Sequence, residues 1–417
     1  MFEILIPSRT LSKLRHGSLK NYLIFLMGVT ACFTKTICQS TSHYVHDSIL
    51  QHSDYVQEDM RLQLHLPETF YASSATTRYP IIIIFDSQHQ RTYQHIVRSL
   101  DLLTTETQIP ETIIIGIPFS KHNRYYLTSA KVSQGDSLTG LQRMERFLFS
   151  ELMPLLQKSY KAGDFITVIG HSRTAFLVNY LAYQHPKEID VAIAVSGFYE
   201  ENPLSVDLFA TFLSDEKNFP YPFSYYYSAG TTREDSVYLR QKERLDEVLQ
   251  TTAKPKNPRV QFEKNRHANH MTNYWLSVPA MLTDVFSAYN NIHDVWFHQR
   301  LENENPSDPV GIFKKDLAEA SKKTGTNLLP GLTHIFSLAS HYGYQKKDYA
   351  AALAFIDYGL LYYPDYLDLF VEKIGYHQLL GQKDKVVYYK KVLINKIGQN
   401  KRLSEADKKN WLAFANK

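Results

Sequence analysis

The chain is predicted to fold as an α/β protein: a mostly parallel sheet with helices on both faces, followed by a small C-terminal all-α helical-repeat module. Three observations carry this. Short apolar, β-branched runs alternate with helix-spaced segments from about residue 60 to residue 288, and strands that alternate with helices pair in parallel because each crossover returns the chain in the same direction. Two of the runs, 81–85 (IIIIF) and 112–117 (TIIIGI), are apolar almost throughout, as expected of strands buried on both faces. Beyond residues 302–309, where Asn, Glu, Asp, Ser and Pro mark a linker, the periodic segments are all helical.

Taken in order, residues 47–52 and 60–66 read as the first two strands. The second alternates, with Met60, Leu62, Leu64 and Leu66 on one face and Arg61, Gln63 and His65 on the other, and Pro67 closes it. Their short connection makes them an antiparallel edge. The buried strand 81–85 follows, then Asp86-Ser87-Gln88, a helix carrying Ile96, Leu100 and Leu103, and the strand 112–117. Residues 141–160 form an amphipathic helix with Leu141, Met144, Leu148, Leu152 and Leu155 on one face. Strand 165–169, helix 174–183 and strand 191–196 come next. Residues 198–221 form an insertion where a cap could sit; beyond it lie strand 223–229, helix 236–249, strand 260–262 and a closing helix, 275–288. In the tail, Lys347 to Leu353 with Ile356, Gly359 and Pro364 resembles the second helix and closing proline of a tetratricopeptide repeat, and 381–392 is a weaker echo. So short an array needs something to pack on, which makes the tail a surface for protein contact or for docking on the first domain.

At 417 residues, 44% hydrophobic and 21% charged, the chain can bury a large core. A net charge of +4, with no basic run interleaved with aromatics, argues against nucleic acid as a partner. The two cysteines, Cys32 and Cys38, lie in residues 1–39, which read as a signal peptide: Arg9, Lys13, Arg15 and Lys20, then the apolar stretch 22–33, then Thr36-Ile37-Cys38 before Gln39. Val29-Thr30-Ala31-Cys32 also resembles a bacterial lipobox, which would leave a lipidated Cys32. Either reading places the working protein outside the cytoplasm, with domains at 40–300 and 301–417.

The organising stretch is Val168 to Phe176, VIGHSRTAF. It resembles the G-x-S-x-G nucleophile elbow of α/β-hydrolases, with Ser172 as nucleophile and Thr174 where the second glycine usually stands. Strand, tight turn and helix are the context that motif needs. The N–H of Arg173 opens the helix and can face a developing oxyanion, and the loop after 81–85 offers the N–H of Ser87 or Gln88 as a second donor. A serine hydroxyl needs a base and a group to orient that base. In chain order, Glu234 and Asp235 follow the strand ending at Ala229, and His267 and His270 follow the last strand. His270 is the expected base, with His267 the competitor. Glu234 is favoured as the acid for its reach, because Asp235 stands where an N-cap of the next helix is expected. No third ligand accompanies the two histidines, so no metal is expected, and ester chemistry of this kind needs no cofactor.

Tyr79-Pro80 before Ile81 to Asp86, Ile109-Pro110-Glu111, Asn123-Arg124 with Leu127-Thr128, FLFSELMP at 147–154, the GHS elbow and Asn269-His270 together resemble the esterase D/enterochelin-esterase-like family over roughly residues 45–290. The resemblance implies an α/β-hydrolase fold and a serine esterase with a Ser-His-acid triad acting on a small-molecule or glycan ester: siderophore, feruloyl or acetyl-sugar. Thr174 departs from the family glycine. That departure keeps a second reading open, a catalytically weak or inactive hydrolase-fold binding protein that works through its helical tail.

Overall fold

The computed structural model describes residues 42, 44–197, 199, 203–251, 259–303 and 306–415; the expected leader, with Cys32 and Cys38, lies outside them. Eight strands form one sheet in the order β1-β2-β4-β3-β5-β6-β7-β8. β1 (Tyr44–Ser53) and β2 (Glu58–Pro67) are the antiparallel edge, and β2 also runs antiparallel to β4 (Ile113–Ile117). The remaining pairings, through β3 (Tyr79–Phe85), β5 (Ala162–His171), β6 (Val191–Val195), β7 (Ser224–Gly230) and β8 (Arg259–Asn265), are parallel. β3 is buried along its whole length, as its unbroken apolar run requires.

Helices cover both faces. α1 (Gln90–Thr105) follows β3, and the five-residue α2 (Asn123–Leu127) follows β4. α3 (Gly140–Arg146) passes through a π turn (Phe147–Leu152) into α4 (Met153–Ser159). Pro154 lacks the N–H that an α-helical turn would use there, and the wider turn before it absorbs the loss. α5 (Arg173–Gln184) leaves β5, and α6 (Val206–Ser214) lies in the insertion. The described part of that insertion departs from the cap expected of it: Phe209 packs on Tyr199 and Tyr225, and Phe212 on Tyr183 near the far end of α5. Its apolar residues contribute to the core.

α7 (Ser236–Thr251) precedes β8, and α8 (His270–Val285) follows it. α8 begins five residues earlier than the apolar spacing suggests. Asn269 and Thr272 form a reciprocal capping box, Thr272 N to Asn269 Oδ1 at 2.8 Å and Asn269 N to Thr272 Oγ1 at 2.9 Å, which starts the helix at His270.

The tail continues through α9 (Ser287–Val295), a second π turn (Trp296–Arg300), α10 (Leu301–Asn303), α11 (Pro309–Thr324), α12 (Leu332–Ser340), α13 (Tyr349–Tyr362), α14 (Leu367–Leu379), α15 (Lys383–Gln399) and α16 (Glu405–Ala415). One apolar cluster runs from Ile82 and Ile84 on the sheet through Val278 and Trp296 to Phe313, Leu338 and Phe355. Main-chain bonds from Ser74 N to Tyr362 O (2.8 Å) and Asp365 N to Ala72 O (3.1 Å) stitch the tail to the loop before β3. The tail therefore shares a core with the sheet layer as far as one face of α14, whose Phe370 joins Leu393 and Ile397 of α15 in a separate cluster.

Candidate active site

β5 runs straight into α5 through one residue. Ser172 has φ +58° and ψ −119°, a left-handed backbone that costs a non-glycine residue roughly 1 kcal/mol or more and holds its side chain off the strand. Two contacts fix the turn: the Ser172 N–H donates to Val195 O (2.9 Å), and the Ala175 N–H donates to Ser172 O (3.1 Å). A Cβ at residue 170 would lie 2.3 Å from the Thr174 carbonyl oxygen, so only glycine lets the helix start this close to the strand.

His270 is the first residue of α8. Its Nδ1 lies 2.7 Å from Asp235 Oδ1. The Asp235 side chain is fully buried, and its other oxygen accepts from Ser196 Oγ (2.7 Å) and the Gly230 N–H (2.5 Å). Burial alone would raise the Asp235 carboxyl, but the bonds from His270, Ser196 and Gly230 outweigh it and hold the group below the usual aspartate range. This reverses the expectation for the two acids. Both Asp235 oxygens are committed to His270, Ser196 and Gly230, so the residue is not an N-cap, while Glu234 next to it is exposed. Adjacent residues of the short turn Arg233–Asp235 point opposite ways, and the inward one is the aspartate. His267 is exposed and tied by its backbone N–H to Thr231 Oγ1 at 2.8 Å.

The His270 ring is held by aromatic neighbours, Tyr238 stacked at 5.0 Å and His171 at 4.5 Å between centroids. His171 also meets the His270 carbonyl at 2.8 Å through Nε2. Burial, and then the neighbouring His270, lower the His171 imidazole to about 4, so at neutral pH it is uncharged and donates its Nε2–H to that carbonyl. Sequence reasoning assigned no role to His171, Ser196 or Tyr238. His171 was readable as a polar residue inside the elbow motif itself; Ser196 and Tyr238 carry no local signature.

The loop after β3 is fastened at nearly every polar group. The Ser87 N–H donates to Ile117 O (3.2 Å), and the Ser87 carbonyl accepts from Gln63 Nε2 (3.2 Å) and Gln90 Nε2 (2.8 Å). Of the two candidate oxyanion donors, Ser87 is thus occupied. Among the described residues the Gln88 N–H meets no acceptor. Asp86, with φ +63°, is held by both arms of Arg124, Nε to Oδ1 at 2.6 Å and Nη2 to Oδ2 at 2.7 Å. Burial would raise its carboxyl, and the bonds and charge of Arg124, with the bonds from Gln88 and Thr174, together reverse that and leave it below the usual range. Thr174 is fully buried, and its hydroxyl donates to Asp86 Oδ2 at 2.8 Å. The branched side chain in place of glycine is therefore accommodated and bonded. Arg173 reaches the loop after α2, Nε to Thr128 Oγ1 at 2.6 Å, over the exposed Tyr125 ring.

A family model described as "Putative esterase" matches residues 53–276, more than half of the chain. The chain belongs to this esterase family. Among solved structures, this chain is similar to an IroE-like serine hydrolase from Shewanella oneidensis, with a TM-score of 0.57 at 15% identity, covering 75% of this chain and 98% of that one. It is also similar to an uncharacterised protein from Capnocytophaga ochracea, with a TM-score of 0.55 at 14% identity, covering 89% and 99%. At such identities the likeness is one of fold. In sequence, the chain is 26% identical over 159 residues to the uncharacterized protein YjcH of Bacillus subtilis, a match that spans 36% of this chain and 61% of that protein's length.

Proposed function

We propose that this esterase is an exported serine hydrolase that cleaves carboxylic esters through an acyl-enzyme. Ser172 Oγ attacks the ester carbonyl carbon and gives its proton to His270 Nε2, the nitrogen left over when Nδ1 faces Asp235. Asp235 fixes the tautomer and balances the charge of the imidazolium. The N–H groups of Arg173 and Gln88 receive the oxyanion. The tetrahedral species collapses, His270 returns the proton to the departing alcohol, and a water activated by the same imidazole releases the acid and restores Ser172. The observations that carry the reading are the buried Asp235–His270 bond and the packing of the His270 ring, 4.5 Å between centroids, on His171, the residue that precedes a serine on a left-handed turn. The substrate we propose is a small-molecule or glycan ester, the class that the sequence resemblance implies. The leader-like residues 1–39 support export.

The test is Ser172→Ala, assayed with a short-chain nitrophenyl ester and a fluorophosphonate probe. Turnover and labelling are expected to vanish together. Turnover within about tenfold of the parent would remove Ser172 as the nucleophile.

A further inference from the structure

We propose that Thr174 is a positioning residue for the oxyanion hole, acting through Asp86 to hold the Gln88 and Arg173 N–H groups at a fixed separation. The inference rests on the reading of Ser172 as the nucleophile. Two oxyanion donors stabilise a transition state only if both meet one oxygen at about 3 Å, and an error of about 1 Å costs on the order of a hundredfold in rate. Here the donors sit on different elements, one opening α5 and one on the β3–α1 loop, and among the described residues no main-chain bond joins those two segments.

The Asp86 carboxylate spans that gap. Its Oδ1 accepts from Gln88 Nε2 at 2.7 Å, and the Gln88 Oε1 in turn accepts from the Phe119 N–H at 2.9 Å. Asp86 Oδ2 accepts from the Thr174 hydroxyl, one residue beyond Arg173. One carboxylate thus grips the side chain of one donor residue and the neighbour of the other. Thr174 Oγ1 also accepts from the His171 N–H at 3.0 Å, which locks its rotamer, and its single proton goes to the charged oxygen at 2.8 Å rather than to the His171 carbonyl at 3.0 Å. Asp86 is 7% exposed and left-handed, a conformation that persists only under outside restraint. Arg124 supplies charge and one restraint from α2, and Thr128, one turn along, holds Arg173. Among the described residues, Thr174 is the one side chain that ties Asp86 directly to the elbow helix.

The test compares Thr174→Val, Thr174→Gly and Thr174→Ser. Val keeps the shape and loses the hydroxyl, Gly restores the usual motif residue, and Ser keeps the hydroxyl. Readouts are kcat and KM on the nitrophenyl ester, inhibition by a trifluoromethyl ketone that forms a tetrahedral anion on the serine, and the thermal midpoint. Val and Gly are expected to lose on the order of tenfold to a hundredfold in kcat with KM within about threefold, to bind the ketone more weakly by a similar factor, and Ser to recover most of both. A kcat unchanged in both Val and Gly, or a loss that Ser shares in full, overturns the inference. Should Val not fold, Gly alone decides. Ser172→Ala run alongside separates the two ideas: turnover that survives it sinks the nucleophile assignment and this inference with it, whereas turnover that needs Ser172 but ignores Thr174 sinks only the positioning role.

Discussion

Asp235 and His270 meet at 2.7 Å between Oδ1 and Nδ1, although they lie on separate elements on either side of β8. The bond is enclosed: the carboxylate has no exposed surface, and the imidazole is flanked by Tyr238 and His171. In such a site the acid's role is to choose which imidazole nitrogen carries the proton, so Asp235→Asn should cut kcat by up to about 10⁴ while the unfolding midpoint shifts only modestly. Glu234→Ala should stay within a few-fold of the parent in rate, because its side chain is exposed. Steady-state kinetics with a nitrophenyl ester on both variants checks the pair, and equal losses would contradict the assignment of the acid.

Ser172 carries backbone strain that the elbow needs and stability does not. At φ +58° a Cβ crowds the backbone, and glycine relieves it without asking anything else to move. Ser172→Gly should therefore raise the free energy of unfolding by a few tenths to about 1 kcal/mol, net of the larger entropy of the unfolded glycine, and abolish ester turnover. Urea unfolding at neutral pH measures the first effect. A lower stability than the parent would mean that the hydroxyl or Cβ contributes contacts that outweigh the strain.

The sheet was legible because its strands are written as unbroken apolar runs, and the elbow because strand, glycine, serine and helix spacing are all local. His270 stands out in the sequence by its place after the last strand, and the structure sets it against Asp235. The choice between Glu234 and Asp235 was not, since it depends on which neighbour faces Ser196 and the Gly230 N–H, and those belong to strands far away in sequence. The N-cap preference of Asp pointed the wrong way because a tertiary demand for the carboxylate won over a local one. Thr174 read as a defect for the same reason: its partner, Asp86, lies 88 residues earlier. The start of α8 at His270 was available locally, in the Asn269–Thr272 box, and apolar spacing alone passed over it.

Three buried histidines add to the acid sensitivity of the fold. Burial lowers His65 and His171 to about 4 and His334 to about 3, each with a neighbouring histidine as the lesser cause. The folded state thus binds these protons more weakly than the unfolded chain, where histidine titrates near 6.5. Their contribution is complete above about pH 6.5 and is lost as pH falls from there toward 4 and then 3, at up to about 1.4 kcal/mol per pH unit for each group. His334 is the one to remove. It is fully buried against Tyr289 and Phe313, and among the described residues neither of its ring nitrogens has a partner. An unpartnered buried imidazole costs desolvation and returns nothing, so Leu of similar volume should serve the packing better. His334→Leu is expected to raise the thermal midpoint slightly at pH 7 and by more at pH 5, where the parent begins to pay for protonation. Its stability should fall less steeply than the parent's between pH 6.5 and 4, with esterase kinetics at pH 7 unaltered because the residue lies in the tail. Scanning calorimetry at half-unit steps of pH measures the slope, and parallel curves for parent and variant would show that His334 does not titrate across the window.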